Sequence, residues 1–314
     1  MRFGFAVKVL GDPGLKSHDT RRWQNNPHLR VSIGYFRDIL EYLNRHDIRM
    51  YRIASDFAPY ITHPDMPQFH GQIAECSEEL AEVGEIARGY GIRLSFHPSQ
   101  YVILNSPDER IARLAVEDFL AQARILHAMG QGPEAVVVTH VGGLYGDRES
   151  SILRFISRYR DLPDEARRRL VLENDASNFS IAEVLRISRE TGIRVVMDYL
   201  HHMNNNPSGL EIRDAVERSL ATWPGDVKPK IHFSSPRTEL REIRRKNPAT
   251  GRLETGYLPP LVTQHSDYVN PYEFSLFMRE LHGLRDFDVM LEAKAKDLAL
   301  MRLRKELPVS VHDG

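Results

Sequence analysis

The chain has 314 residues, 41% of them apolar and 27% charged, an ordinary globular balance that can bury a large core. Lysine and arginine total 42 against 43 acids, so the net charge of −1 excludes a uniformly basic protein. A nucleic-acid binder of this balance must gather its cations locally and hold its acids elsewhere, for instance around metal ions. The lone Cys76 excludes an internal disulfide or a multi-cysteine zinc site. No apolar run is long enough to span a membrane, and the chain starts with a strand-like Phe3-Gly4-Phe5-Ala6-Val7, unlike a cleaved signal. The expected location is cytoplasmic.

The first strand, Phe3–Val9, leads into a long polar loop, Leu10 to Arg30, with Lys16, Arg21, Arg22 and Trp23. Helical spacing of Ile33, Phe36, Ile39, Leu40 and Leu43 predicts a helix over Ile33–Arg45, and Met50–Ala54 reads as a strand. A helix over Gln72–Tyr90 and a strand over Ile92–Phe96 follow. Ser106-Pro107-Asp108-Glu109 reads as a helix start with proline in first position, the helix running to about Met129. Ala135–Thr139 is apolar without alternation, as a buried strand is, and ends in His140-Val141-Gly142-Gly143. Glu149–Tyr159 is a helix and Leu170–Leu172 a strand ending in Glu173. Ser180-Ile181-Ala182-Glu183 is a capping box for a helix that ends near Gly192. Arg194–Met197 is a strand ending in Asp198, and Leu210–Thr222 a helix. Pro229–Phe233 is the seventh strand. An irregular basic excursion, 234–267, carries Arg241, Arg244 and Arg245. The helix Tyr272–His282, the strand Asp288–Leu291 ending in Glu292, and the helix Lys294–Leu307 complete the chain, with a tail after 307.

Eight apolar strands, each followed by a helix, imply a parallel sheet covered on its outer face. In about 300 residues that pattern fits a single-domain (β/α)8 TIM barrel spanning 1–314, whose active site lies at the C-terminal ends of the strands. An open doubly wound sheet is the alternative, but Gly11-Asp12-Pro13-Gly14 is not its phosphate fingerprint.

On a barrel, the strand tips bring together His97, His140, Glu173, Asp198, His232 and Glu292. Taken singly, each is more often a capping or loop hydrogen-bonding group than a ligand. Three histidines and three carboxylates in one pocket instead require cations, and this donor set suits zinc, manganese or iron. Two or more such ions are the usual means of attacking a phosphodiester. His63, His201 and His265 are further candidates. Lys230 lies two residues before His232 and shares its face, inside the barrel. A lysine there needs an ion-pair partner, a catalytic role or a chemical modification.

The phrases Arg52-Ile53-Ala54-Ser55-Asp56-Phe57 with His63-Pro64, Ser95-Phe96-His97-Pro98-Ser99-Gln100-Tyr101, Leu172-Glu173-Asn174-Asp175, His265-Ser266-Asp267-Tyr268 and Met290-Leu291-Glu292-Ala293-Lys294-Ala295-Lys296 resemble the ultraviolet damage endonuclease family. The resemblance runs from about residue 3 to 300. It implies a TIM barrel related to endonuclease IV that acts in DNA repair, cutting immediately 5′ of pyrimidine dimers, 6-4 products and some other lesions. It implies up to three divalent ions, typically manganese, on His63, His97, His140, Glu173, Asp198, His201, His232, His265 and Glu292. It also implies a carboxylated lysine at Lys230, which with Glu173 and His232 would carry the catalysis. Gln100 and Tyr101 correspond to the pair that enters damaged double-stranded DNA where the dinucleotide is flipped out. Phe5 and Val9, with Lys8 beside it, depart from the family's usual residues lining the lesion pocket, which leaves the lesion range open. Arg241, Arg244 and Arg245 in the basic excursion are expected either to track DNA phosphates or to belong to a solvated loop. The expected protein is a monomer with no obligate protein partner. The rival readings are a divalent-metal sugar isomerase or epimerase barrel and a damaged-DNA binding protein that has lost catalysis.

Overall fold

A computed structural model of the chain describes residues 1–248 and 250–307; the expected tail after 307 lies outside the described residues. Eight parallel strands make the barrel: β1 (Phe3–Ala6), β2 (Met50–Arg52), β3 (Arg93–Phe96), β4 (Val136–His140), β5 (Leu170–Glu173), β6 (Arg194–Val196), β7 (Lys230–Phe233) and β10 (Asp288–Leu291). A separate two-stranded antiparallel ribbon, β8 (Arg241–Lys246) and β9 (Leu253–Leu258), is inserted between β7 and β10. The barrel order is β6-β5-β4-β3-β2-β1-β10-β7. A parallel bridge between Asp198 and His232, with the His232 N–H donating to the Met197 carbonyl at 2.9 Å, closes the ring between β6 and β7.

Alternation along these strands sends one set of side chains outward to the helices and the other inward. The outward set and the helix faces form the main core, where Phe36, Phe57, Phe96, Phe119 and Phe155 are fully buried. The inward set begins near the floor as a small apolar plug of Val136, Val138, Val171, Val196, Trp223 and Val227. Two residues further along the same strands, the inward positions become His140, Glu173 and Asp198. The site therefore sits on the plug, at the mouth.

Several boundaries differ from expectation for local reasons. The first helix begins earlier, at Leu29, because the His28 ring accepts the Arg30 N–H and caps it. The helix expected over Gln72–Tyr90 is interrupted at Cys76, giving Gln72–Glu75 and Ser77–Gly89. Asp108, not Ser106, caps the helix Glu109–Ala128: its carboxylate takes the Arg110 and Ile111 N–H groups, so Pro107 lies ahead of the helix. The capping box at Ser180 and Glu183 forms as read. The excursion 234–267 is not irregular, since it contains the β8–β9 hairpin, and Asp198 caps an unanticipated short helix, Tyr199–Asn204.

Candidate metal centre

Parallel register aligns the strand tips side by side. His140 neighbours Glu173 across β4 and β5, and His232 neighbours Met290 across β7 and β10. Glu173 is the fully buried centre of the group. Its Oε2 lies 3.1 Å from His97 Nε2 and 3.7 Å from His140 Nε2; its Oε1 lies 2.8 Å from His232 Nδ1 and 3.7 Å from His201 Nδ1. Glu292 Oε1 is 3.1 Å from His232 Nδ1, and its Oε2 is 3.6 Å from His265 Nε2. Two donor groups result, one of His97, His140 and Glu173 and one of Glu173, Asp198, His232 and Glu292, with Glu173 common to both.

The histidines are oriented from behind. His97 Nδ1 lies 3.0 Å from the Pro98 carbonyl, His140 Nδ1 3.3 Å from the Glu173 carbonyl and His201 Nδ1 2.9 Å from the Asn174 carbonyl. A carbonyl only accepts, so each Nδ1 carries the proton, and in His97 and His140 the Nε2 lone pair is left facing Glu173. His265 is held similarly, through Nδ1 and the Ser234 hydroxyl at 2.6 Å. Asn174 in turn clasps the Asp198 backbone, donating to its carbonyl and accepting its N–H. Gly142, at φ +117°, lets the loop after His140 turn where a Cβ would strike the Asn105 side chain.

The electrostatics match a cation site. Burial opposes the charge on Glu173, yet His232 and His140 hold its carboxyl well below the ordinary value. Burial pushes Asp198 up to about 7 against the pull of His201, with the Glu173 and Glu292 charges adding to the rise. Burial disfavours a charged His201, but Asp198, Glu173 and Glu292 raise it to about 9. Burial drops His232 to about 4 despite Glu173. Asp198 Oδ2 is buried with no hydrogen-bond partner, an orphaned acceptor facing this donor set. Buried carboxylates and imidazole nitrogens converging in this way fit divalent transition-metal ions.

Arg52 is a member of the site that strand-tip reading for metal-competent residues passed over. It ends β2, and its Nη2 lies 2.5 Å from Glu292 Oε1 and 3.0 Å from His232 Nε2. Its position at a strand tip was the available signal. Lys230 is fully buried below His232, and its Nζ has no hydrogen-bond partner.

Two of the expected site residues lie elsewhere. His63 is not within either donor group; its ring packs near Tyr60, its Nδ1 accepts the Asp65 N–H, and it lines a neighbouring cavity of about 550 Å³ with His18, Asp56 and Asp118. Phe5 is fully buried, edge-on to Tyr51 at 5.4 Å, because its side chain points outward from β1 into the core, so it lines no accessible pocket. Lys8 is exposed beyond the β1 tip, after Val7, a β-branched residue held at φ +68° by the Arg52 carbonyl and the Tyr51 hydroxyl. Gln100 and Tyr101 are exposed on the loop after β3, Tyr101 at 77%. With His97, His140 and Asn178 they line a cavity of about 500 Å³ that joins the loop to the histidines.

A family model described as "UV-endonuclease UvdE" matches residues 30–312. The chain belongs to the UvdE family. UvdE relatives include the UV DNA damage endonuclease of Bacillus velezensis, 34% identical over 85% of this chain and 78% of its own. Among solved structures, SacUVDE superposes with a TM-score of 0.80 at 30% identity, covering 97% of each chain. The fold alone is shared with endonuclease IV from Thermus thermophilus (15% identity, TM-score 0.57, 97% of this chain and 98% of that one). It is shared equally with D-psicose 3-epimerase from Clostridium cellulolyticum (14%, TM-score 0.53, 99% and 93%). The barrel therefore does not discriminate between nuclease and epimerase; UvdE membership does.

Proposed function

We propose that this UvdE protein is a metal-dependent DNA repair endonuclease that incises damaged duplex DNA immediately 5′ of UV photoproducts. The observation that carries the reading is the pair His97 and His140, anchored through Nδ1 with their Nε2 atoms turned toward Glu173, the buried carboxylate common to both donor groups. His97, His140, Glu173, Asp198, His201, His232, His265 and Glu292 would hold up to three divalent ions, manganese foremost, with His63 joining from the adjacent cavity. Bound there, such ions supply an activated water and neutralise charge on the scissile phosphate.

The protein's own groups divide the remaining work. Glu173, with Oε2 beside His97 and His140 and Oε1 beside His232, is common to both donor groups and would help to hold an ion in each. Arg52 places a fixed cation beside Glu292, suited to a phosphate oxygen at the mouth. Lys230, fully buried two residues before His232, would carry the catalysis with Glu173 and His232, carboxylated as the family resemblance implies. Gln100 and Tyr101 probe the duplex: an exposed amide and ring can fill a vacated base stack. The open cavities and the exposed probe suit a polymer better than the small closed pocket of a sugar epimerase.

One assay decides among the readings. An end-labelled duplex with a single thymine dimer should be cut just 5′ of the dimer in Mn²⁺ and left intact in EDTA. Gln100→Ala/Tyr101→Ala should lose preference for the dimer while binding Mn²⁺ as the unaltered protein does. Binding of the dimer without metal-dependent cutting would leave only a damage-binding role, and neither binding nor cutting would remove the nuclease reading altogether.

A further inference from the structure

The β8–β9 hairpin is placed by the metal centre itself. It leaves the barrel just after His232 and returns just before His265. At its root the Pro236–His265 bridge and the Arg237 N–H, donating to the Gln264 carbonyl at 2.8 Å, draw the two ends together. The ribbon thus stands at the mouth.

Residues directly opposite on paired strands share a side, and the sides alternate along each strand. One side carries Arg241, Ile243 and Arg245 opposite Leu258, Gly256 and Glu254. The other carries Glu242, Arg244 and Lys246 opposite Tyr257, Thr255 and Leu253. Burial separates them: Arg241, Ile243, Gly256 and Leu258 are half-buried, whereas all six residues of the second side are exposed, Tyr257 at 64% and Leu253 at 72%. Of the inner cations, Arg241 donates to the Pro259 carbonyl at 3.0 Å, and Arg245 stands across from an acid, Glu254. Among the described residues Arg244 and Lys246 have no such partner.

We propose that the outward side of this hairpin is a second contact with the DNA duplex, laid into the major groove beside the lesion, with Arg244 and Lys246 on phosphates. The proposal rests on the endonuclease reading and adds a surface to it. The major groove, about 12 Å wide, admits a two-stranded ribbon without being widened, whereas the minor, about 6 Å, would have to open. Six residues per strand reach roughly 20 Å, enough to pass from the mouth onto flanking duplex. Tyr257, opposite Glu242, and Leu253, opposite Lys246, supply apolar surface beside the cations for sugars and base edges. Of the three arginines expected to touch DNA, only Arg244 belongs to this contact.

The test compares two pairs that remove equal charge from opposite sides, Arg244→Ser/Lys246→Ser and Arg241→Ser/Arg245→Ser. Affinity for the thymine-dimer duplex is measured across a salt series, and incision of the same duplex in Mn²⁺ is read alongside. The outer pair should flatten the plot of log affinity against log salt by about 2, near 0.9 per lost phosphate contact, while the inner pair leaves it nearly unchanged. Equal flattening by both pairs, or none by the outer pair, overturns the proposal. Thermal melting matched to the unaltered protein verifies that both variants fold. If the unaltered protein itself fails to cut, the endonuclease reading falls; if it cuts and the pairs do not differ, only the hairpin contact falls.

Discussion

Lys230 is the residue whose surroundings are hardest to reconcile with an ordinary lysine. It is fully buried and its Nζ has no hydrogen-bond partner; burial, then the charges of Arg52 and Arg93, drive its pKa well below the ordinary value. The neutral amine favoured there can add carbon dioxide, giving up one proton to solvent, and the resulting carbamate anion would be attracted by the two guanidiniums. Intact mass measured under mild, non-acidic conditions should exceed the sequence mass by one carbon dioxide, and Lys230→Arg should remove the increment. A mass equal to that of the sequence alone under those conditions would sink the carbamate. The same residue shows what sequence reading reaches at this scale. Its inward direction followed from the two-residue spacing to His232, but its neighbours Arg52 and Arg93 come from strands more than a hundred residues away, and no local pattern announces them.

At the scale of elements, close approach decides what the helices tolerate. The helix Ser77–Gly89 passes over the end of the helix Glu109–Ala128, where Arg88 Nη1 donates to the Met129 carbonyl at 2.6 Å. Gly84 lies at the crossing, and a Cβ there would stand 1.9 Å from the Met129 oxygen. Alanine normally favours a helix over glycine by about 1 kcal/mol. At this position overlap with rigid backbone wins, and Gly84→Ala should destabilise by about 1–3 kcal/mol, read as a lower urea midpoint. Gly89→Ala, where a Cβ meets nothing within 4 Å, should be neutral or slightly stabilising in the same titration. Equal midpoints for the two variants would refute the packing argument. The periodicity of this segment indicated a helix, but not the interruption at Cys76 or the crossing, both of which depend on what lies beneath.

For the whole molecule, the barrel floor is tied through Asp288. Arg93 Nη1 on β3 donates to Asp288 Oδ2 on β10 at 2.9 Å and to the Pro229 carbonyl at 3.2 Å, while Arg93 Nε donates to the Glu134 carbonyl. Both side chains of the pair are fully buried. Asp288 also accepts the Arg2 N–H and lies 3.3 Å from Lys228, joining the first strand to the last. Removing the acid strands a buried guanidinium, so Asp288→Leu should destabilise by about 3–5 kcal/mol. Adding Arg93→Met should recover most of that loss in a double-mutant cycle by urea unfolding. Failure of the second change to rescue the first would show that Asp288 acts through Arg2 and Lys228 instead.

What the sequence determined by itself was the βα alternation, and with it the barrel, because continuous apolar strands followed by amphipathic helices bury well in few other ways. The same alternation announced the strand-tip donors, since a parallel barrel sends every strand's C-terminal end to one mouth. Tertiary structure decided the remainder: which donors touch, with Glu173 shared and His63 set apart; that Phe5 faces the core; that Arg52 joins the site; and that a basic excursion is a two-sided ribbon. Each of these depends on register between strands distant in sequence, and register is settled by packing across the whole barrel, not by any one segment's pattern.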